Sequence, residues 1–251
     1  MEFTLFVIIL IIFSGFLKGF AGFGMSLVLI SVLFNEGLNP SEFMPILVPL
    51  FVILDIILFF ENKKFVKLDF KENFTLHPTT LITLFLGIML GTYLMTIMDM
   101  DILKLSFAIF VLILLFFLIE KVDLHQMKLP SEKLNGYFGG ITGILTGLFT
   151  LNSIPPSLYM LYLQYPKDKY MGSLVTFLVI SDLLLVAVYL FKDLFSISCF
   201  LISLQFLFIV LIGFLIGSLV RRKVSSKYFK SFIILVLAIN SLKIIFDYFI
   251  F

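Results

Sequence analysis

Two carboxylates stand where carboxylates are costly. Asp55 closes the run Val48-Pro-Leu-Phe-Val-Ile-Leu-Asp55, and Asp182 closes Val175-Thr-Phe-Leu-Val-Ile-Ser-Asp182. An acid inside an otherwise apolar run usually has a functional reason to be there, and the chemistry open to it is reversible proton binding. The alternative is a hydrogen-bonding role in helix packing. A second group of polar residues surrounds two glycine-rich interruptions. Lys18, Gly22, Gly24 and Ser26 mark the first; Thr150, Asn152 and Ser153, followed by Pro155-Pro156, mark the second. A helix that starts at such a break presents backbone N–H groups carrying partial positive charge, and these attract anions. Asn152 or Ser153 could cap a helix entered through the prolines. Lys18 would add a full charge, and the hydroxyl and amide groups would add contacts. Together these residues describe an anion site (Lys18, Gly22, Gly24, Ser26, Thr150, Asn152, Ser153) beside two proton-binding acids, Asp55 and Asp182.

Catalytic patterns are missing. There is no His-Glu-x-x-His, no Gly-x-Ser-x-Gly and no phosphate-binding Gly-x-x-x-x-Gly-Lys-Ser/Thr. The two histidines, His77 and His125, lack partners at ligand or triad spacing, and the lone Cys199 permits neither an internal disulfide nor a cysteine metal site. The expectation is no enzyme, no metal and no cofactor.

The elements that carry these residues must be membrane helices. The chain is 61% hydrophobic and 14% charged, with 33 Phe, and its mean hydropathy is +1.17. A soluble domain carries about 25% charged residues. Apolar segments cover approximately 3–20, 23–34, 43–60, 76–98 and 102–119, then 134–150, 154–165, 171–191, 199–220 and 231–250. Strands with open edges cannot cross lipid, and the alternation of a barrel is absent, so the segments read as helices. No hydrophilic stretch leaves room for a soluble domain, and nothing suggests nucleic-acid binding. The N-terminus lacks a cleavable signal and reads as a retained first segment.

The chain also nearly repeats itself. Gly15, Gly19 and Gly22 return as Gly136, Gly140 and Gly143, 121 residues later; Asp55 returns as Asp182, 127 later; Gly87-x-x-x-Gly91 returns as Gly213-x-x-x-Gly217, 126 later. Extra residues would then lie around Pro155-Pro156. The repeats are 1–120 and 134–251, joined by a basic linker at 121–133. Each opens with a broken or re-entrant helix pair and continues with three spans. The late Gly-x-x-x-Gly motifs read as helix-packing faces.

Loop charge sets the orientation. Lys63, Lys64, Lys67 and Lys71 make one loop basic, and Arg221, Arg222, Lys223, Lys227 and Lys230 another, whereas 98–101 has no base and 192–198 has only Lys192. Lys121, Lys128 and Lys133 make the central linker basic, and Lys167 and Lys169 a further loop. Basic loops face the cytoplasm, which places both termini outside. Matching loops of the two halves carry opposite bias, as inverted repeats require. A parallel four-plus-four arrangement remains open if each broken pair crosses once. Lys243 and Asp247, four apart on the last segment, read as a local pair.

With these residues in place, the chain resembles the TauE/SafE sulfite exporter family over nearly its whole length. The resemblance rests on Gly19-Phe-Ala-Gly22-Phe-Gly24, on Gly140-Ile-Thr-Gly143, and on Pro155-Pro156-Ser-Leu-Tyr159. The basic central linker and the late glycine pairs also fit. It implies a multi-pass inner-membrane permease exporting sulfite or other sulfur-containing anions, with the lipid bilayer and a small anion as its partners. The chain departs from the family pattern at both breaks. Met25 and Ser26 stand where further glycines and a proline are usual, and Asn152-Ser153-Ile154 precedes Pro155 in place of a Gly-Gly-Pro or Gly-Pro-Pro. A gradient-driven transporter of sulfite or an organosulfonate is the expectation. Its rivals are a cation or neutral-metabolite permease with Asp55 and Asp182 as ligands, and a membrane scaffold that transports nothing.

Overall fold

The computed structural model describes residues 5–35, 38–66, 76–119, 132–162, 165–225 and Leu235. Among these the secondary structure is helical, with no strand: α1 (Leu5–Ala21), α2 (Met25–Asn35), α3 (Pro40–Glu61), a 3-10 turn (Lys63–Phe65), α4 (Pro78–Ile97), α5 (Met100–Ile119), α6 (Glu132–Phe149), α7 (Ile154–Tyr162), α8 (Lys167–Phe191) and α9 (Ile197–Lys223). The expected final span at 231–250, with Lys243 and Asp247, lies outside the described residues, as do His125 and most of the central linker. Four helices, α3, α4, α8 and α9, are long and apolar enough to cross a bilayer.

Capping explains several boundaries. Asn39 accepts from the Ser41 N–H, and Pro40 takes the first helical position of α3, where its missing N–H costs nothing. The helix α8 starts four residues earlier than its apolar run suggests, at Lys167. Its first turn is polar, and Lys167 donates to the carbonyls of Arg221 and Val224 at the end of α9. A cation on the orphan carbonyls of a helix C-terminus is favourable.

Large apolar side chains cover the outside of the molecule, and several charged and polar residues are hidden within its core. Ile82, Leu86, Leu90 and Ile97 of α4 and Phe208, Ile212, Leu215 and Leu219 of α9 are exposed, while Lys18, Asp55, Asp182, Asn152 and Arg221 are buried. Water would favour the reverse. Lipid favours this one, since polar groups in hydrocarbon must find protein partners.

Glycine contacts set which helices touch. On α4, a side chain at Gly87 would meet the Gly140 carbonyl at 2.5 Å, and one at Gly91 would meet that of Ile144 at 2.3 Å. On α9, Gly213 and Gly217 lie equally close to the Ile12 and Phe16 carbonyls of α1. Each late glycine pair is thus a packing face, the first against α6 and the second against α1.

The same contacts pair the glycines differently from the sequence spacing. Gly15 approaches the Val210 carbonyl as Gly143 approaches that of Leu84, and Gly19 approaches Phe214 as Gly147 approaches Ile88. Gly15 therefore matches Gly143, 128 residues on. At Gly140, which the sequence spacing matches to Gly19, an added Cβ would meet nothing within 4 Å. At this register the spacing drifts only from 128 to 127 to 126, and no block of extra residues is needed near Pro155. Glycine-rich text can be aligned in several ways, and only the helix–helix contacts choose among them.

Directions follow from the contacts. The helices α1 and α9 run the same way, since Gly15 meets Val210 and Gly19 meets Phe214; α4 and α6 do too, since Gly143 meets Leu84 and Gly147 meets Ile88. The start of α8 lies against the turn after α3, where Gly172 abuts the Phe65 carbonyl, so α3 and α8 run oppositely. The ends of α3 and α9 meet through Glu61 and Arg221. The ends of α4 and α8 meet through Tyr189 and Met95, 3.8 Å apart.

Candidate functional site

The first break is a reversal. Gly22 and Gly24 have φ of 82° and 93°, a left-handed backbone that favours glycine. The chain turns so sharply that Gly24 sits against Leu17. The helix α2 then folds back on α1, with Val28 packed on Leu17 beside Leu10 and Phe16. At 11 residues, α2 is about 16 Å long, roughly half the hydrocarbon core. The second break uses Thr150 in the same role, at φ 50°. Thr150 follows Gly147 by three residues, as Gly22 follows Gly19. Pro155 and Pro156 fall in the first turn of α7, and Ser153 supplies the carbonyl that accepts from Ser157 N–H.

The two breaks meet. Ser26 Oγ donates to the Thr150 carbonyl at 2.9 Å, and Thr150 Oγ1 lies 3.8 Å from Met44 Sδ. Beside this junction runs a buried polar chain. Lys18 Nζ lies 2.7 Å from both carboxylate oxygens of Asp55 and donates to Oδ2. The Asp182 carboxyl lies close enough to Asp55 and Lys18 to interact with both. Asn152 Nδ2 donates to Asp182 Oδ1 at 2.5 Å and approaches Ser181 Oγ at 2.8 Å. Lys18, Asp55, Asp182 and Asn152 are each at most 4% exposed. The Lys18 ammonium also lies 5.8 Å from the centre of the Phe51 ring.

Of the residues singled out in the sequence, the structure links Lys18 to Asp55, Asn152 to Asp182 and Ser26 to Thr150, with Gly22, Gly24 and Ser153 next to them in the chain. Lys18 differs from expectation in one respect: it is held by Asp55 and does not stand alone beside the break. Ser181, the neighbour of Asp182 in the chain, joins the cluster unannounced, because a serine in an apolar helix gives no signal of its own. A further network escaped sequence reasoning. Glu61 Oε2 accepts from Ser218 Oγ at 2.5 Å and from Arg221 Nη2 at 2.8 Å, with Arg222 3.5 Å from Oε1. It ties α3 to α9, with Lys167 alongside. Basic residues there suggested only orientation, and the lone Glu61 at a helix end had no visible partner.

A bundle that turns apolar side chains to lipid and gathers charges around two broken helices is a membrane transport protein. A family model described as sulfite exporter TauE/SafE matches residues 7–244, and the chain belongs to that family. The family is one of transporters, so the protein is a membrane transporter and not an enzyme. Comparison with curated proteins and with solved structures returned no match.

Proposed function

We propose that the protein is a secondary transporter that moves a small anion, sulfite or an organosulfonate, by alternating access between two inverted halves. The observation that carries this reading is the junction of the two broken helices beside a buried lysine. Lys18, Gly22, Gly24, Ser26, Thr150, Asn152 and Ser153 would form the anion site, and Asp55 and Asp182 would bind protons. Irregular backbone at membrane depth is tolerated mainly where it lines such a site.

The inversion is supported by direction. Helices α1, α3 and α9 run one way, and their counterparts α6, α8 and α4 run the other. The reversal of α2 on α1 favours an odd number of passes per half over a single broken crossing. Lys63, Lys64, Lys167, Lys169 and Arg221–Lys223 gather at one end, which the charge rule assigns to the cytoplasm. Movement of one half against the other would expose the central site to each side in turn.

Flux of radiolabelled sulfite, and of alkanesulfonates in competition, into proteoliposomes tests the proposal. Saturable anion flux that is lost in Ser26→Ala/Asn152→Ala is the expected result. Flux of cations or neutral metabolites in its place would favour the rival in which Asp55 and Asp182 bind the substrate. No flux of any solute would favour a scaffold.

A further inference from the structure

The central cluster contains one cation and two acids. Lys18 satisfies Asp55 Oδ2, and Asn152 satisfies Asp182 Oδ1. Asp55 Oδ1 is held by the ion pair with Lys18 and accepts no directed hydrogen bond, and the buried Asp182 Oδ2 accepts none among the described residues. Two carboxylates that face one another cannot both keep a full charge in a dry site without a further positive partner. Among the described residues that partner is Lys18, contributed by α1; Asn152 comes from the second break, Ser181 from α8 and the Phe51 ring from α3.

We propose that Asp55 and Asp182 bind one proton shared between their carboxylates, and that this proton releases Lys18 from Asp55 to take the substrate anion. The inference rests on the anion-transport reading above and specifies how its site is coupled. The count of charge supports it. Without proton or substrate the cluster carries one net negative charge. A proton neutralises it, and a bound monoanion restores the same single negative charge. An anion bound without the proton would leave two. One proton per monoanion thus keeps the moving site at constant charge, which a low-dielectric interior favours. The proton adds an O–H bond at one carboxylate and a hydrogen bond to the other, while Lys18 stays an ammonium throughout. The acids of the two halves then act as one site rather than as two independent ones.

Two measurements on the purified full chain test this. The first needs no substrate. A pH-difference infrared spectrum should show one carboxylic-acid C=O band that both Asp55→Asn and Asp182→Asn abolish. Two bands, each removed by only one variant, would overturn the shared proton. The second follows methanesulfonate binding, since that anion does not itself titrate near neutral pH. Wild type should take up about one proton per anion, with affinity falling up to about tenfold per pH unit on the alkaline limb. Asp182→Asn, whose amide mimics the protonated acid, should bind the anion without proton uptake and with a flat pH profile. Binding by wild type without proton uptake, or replacement of the proton by sodium, would overturn the coupling. The shared infrared band with no binding or flux of any anion would instead overturn the transport reading while leaving the proton site standing. Lys18→Arg should bind the anion, whereas Lys18→Gln, if folded, should not.

Discussion

Ser26 and Thr150, 124 residues apart, are joined by a 2.9 Å hydrogen bond from the Ser26 hydroxyl to the Thr150 carbonyl. That bond ties the tip of the first helical reversal to the turn of the second. Both groups are buried. Ser26→Ala should therefore cost about 1–3 kcal/mol, because it leaves a buried carbonyl without its donor. Denaturant unfolding in detergent would measure this. A loss below the error of the method would mean that water or another group replaces the hydroxyl.

Gly139 and Gly140 are neighbours on α6 with opposite fates. An added Cβ at Gly139 would lie 2.2 Å from the Thr80 carbonyl, a backbone atom that cannot swing aside, whereas at Gly140 nothing lies within 4 Å. Gly139→Ala should destabilise by about 1–3 kcal/mol or more through overpacking. Gly140→Ala should be neutral or stabilising by up to about 1 kcal/mol, the helix preference of alanine over glycine. Thermal unfolding of the two variants side by side separates them, and equal behaviour would contradict the packing of α4 on α6.

Lys18 and Asp55 should respond unequally to neutralisation. Lys18→Met leaves two facing acids without their cation and should cost about 3–5 kcal/mol, the scale for breaking a buried ion pair. Asp55→Asn should cost less, because Lys18 can turn to Asp182. The double variant should be more stable than the sum of the two losses predicts. A double-mutant cycle by chemical denaturation gives the coupling, and strict additivity would show that the ion pair does not form.

Glu61 holds the ends of α3 and α9 together through Ser218 and Arg221. Alternating access requires some contact of this kind to open when the halves move. Glu61→Gln should weaken the closure of this end by about 1.5–3 kcal/mol, the range for hydrogen bonds to charged groups. A cysteine placed at the junction should then react faster with a soluble maleimide in the variant than in the parent, both on a Cys199→Ser background. Unchanged labelling would remove the network from the moving interface.

Much of this molecule could be read from composition. A 61% hydrophobic chain with most of its charges outside the apolar runs reads as a helical membrane protein, because open strands cannot satisfy their backbone in lipid. The span positions, the short segments at 23–34 and 154–165, and the isolation of Lys18, Asp55 and Asp182 all follow from local sequence. So do the late glycine pairs, whose small size invites close packing. These properties depend on neighbours within one helix. What the chain text left undecided depends on contacts between helices. The pairing of Lys18 with Asp55, the approach of Asp182 to both, and the choice of Gly139 over Gly140 are matters of rotation and register. A shift of one residue turns a helix by about 100° and exchanges the buried face for another. That register is set by glycine surfaces on α1, α4, α6 and α9 acting across more than fifty residues of chain. The sequence by itself determined that charges would have to be hidden within the membrane; only the tertiary structure decided which charge would hide with which.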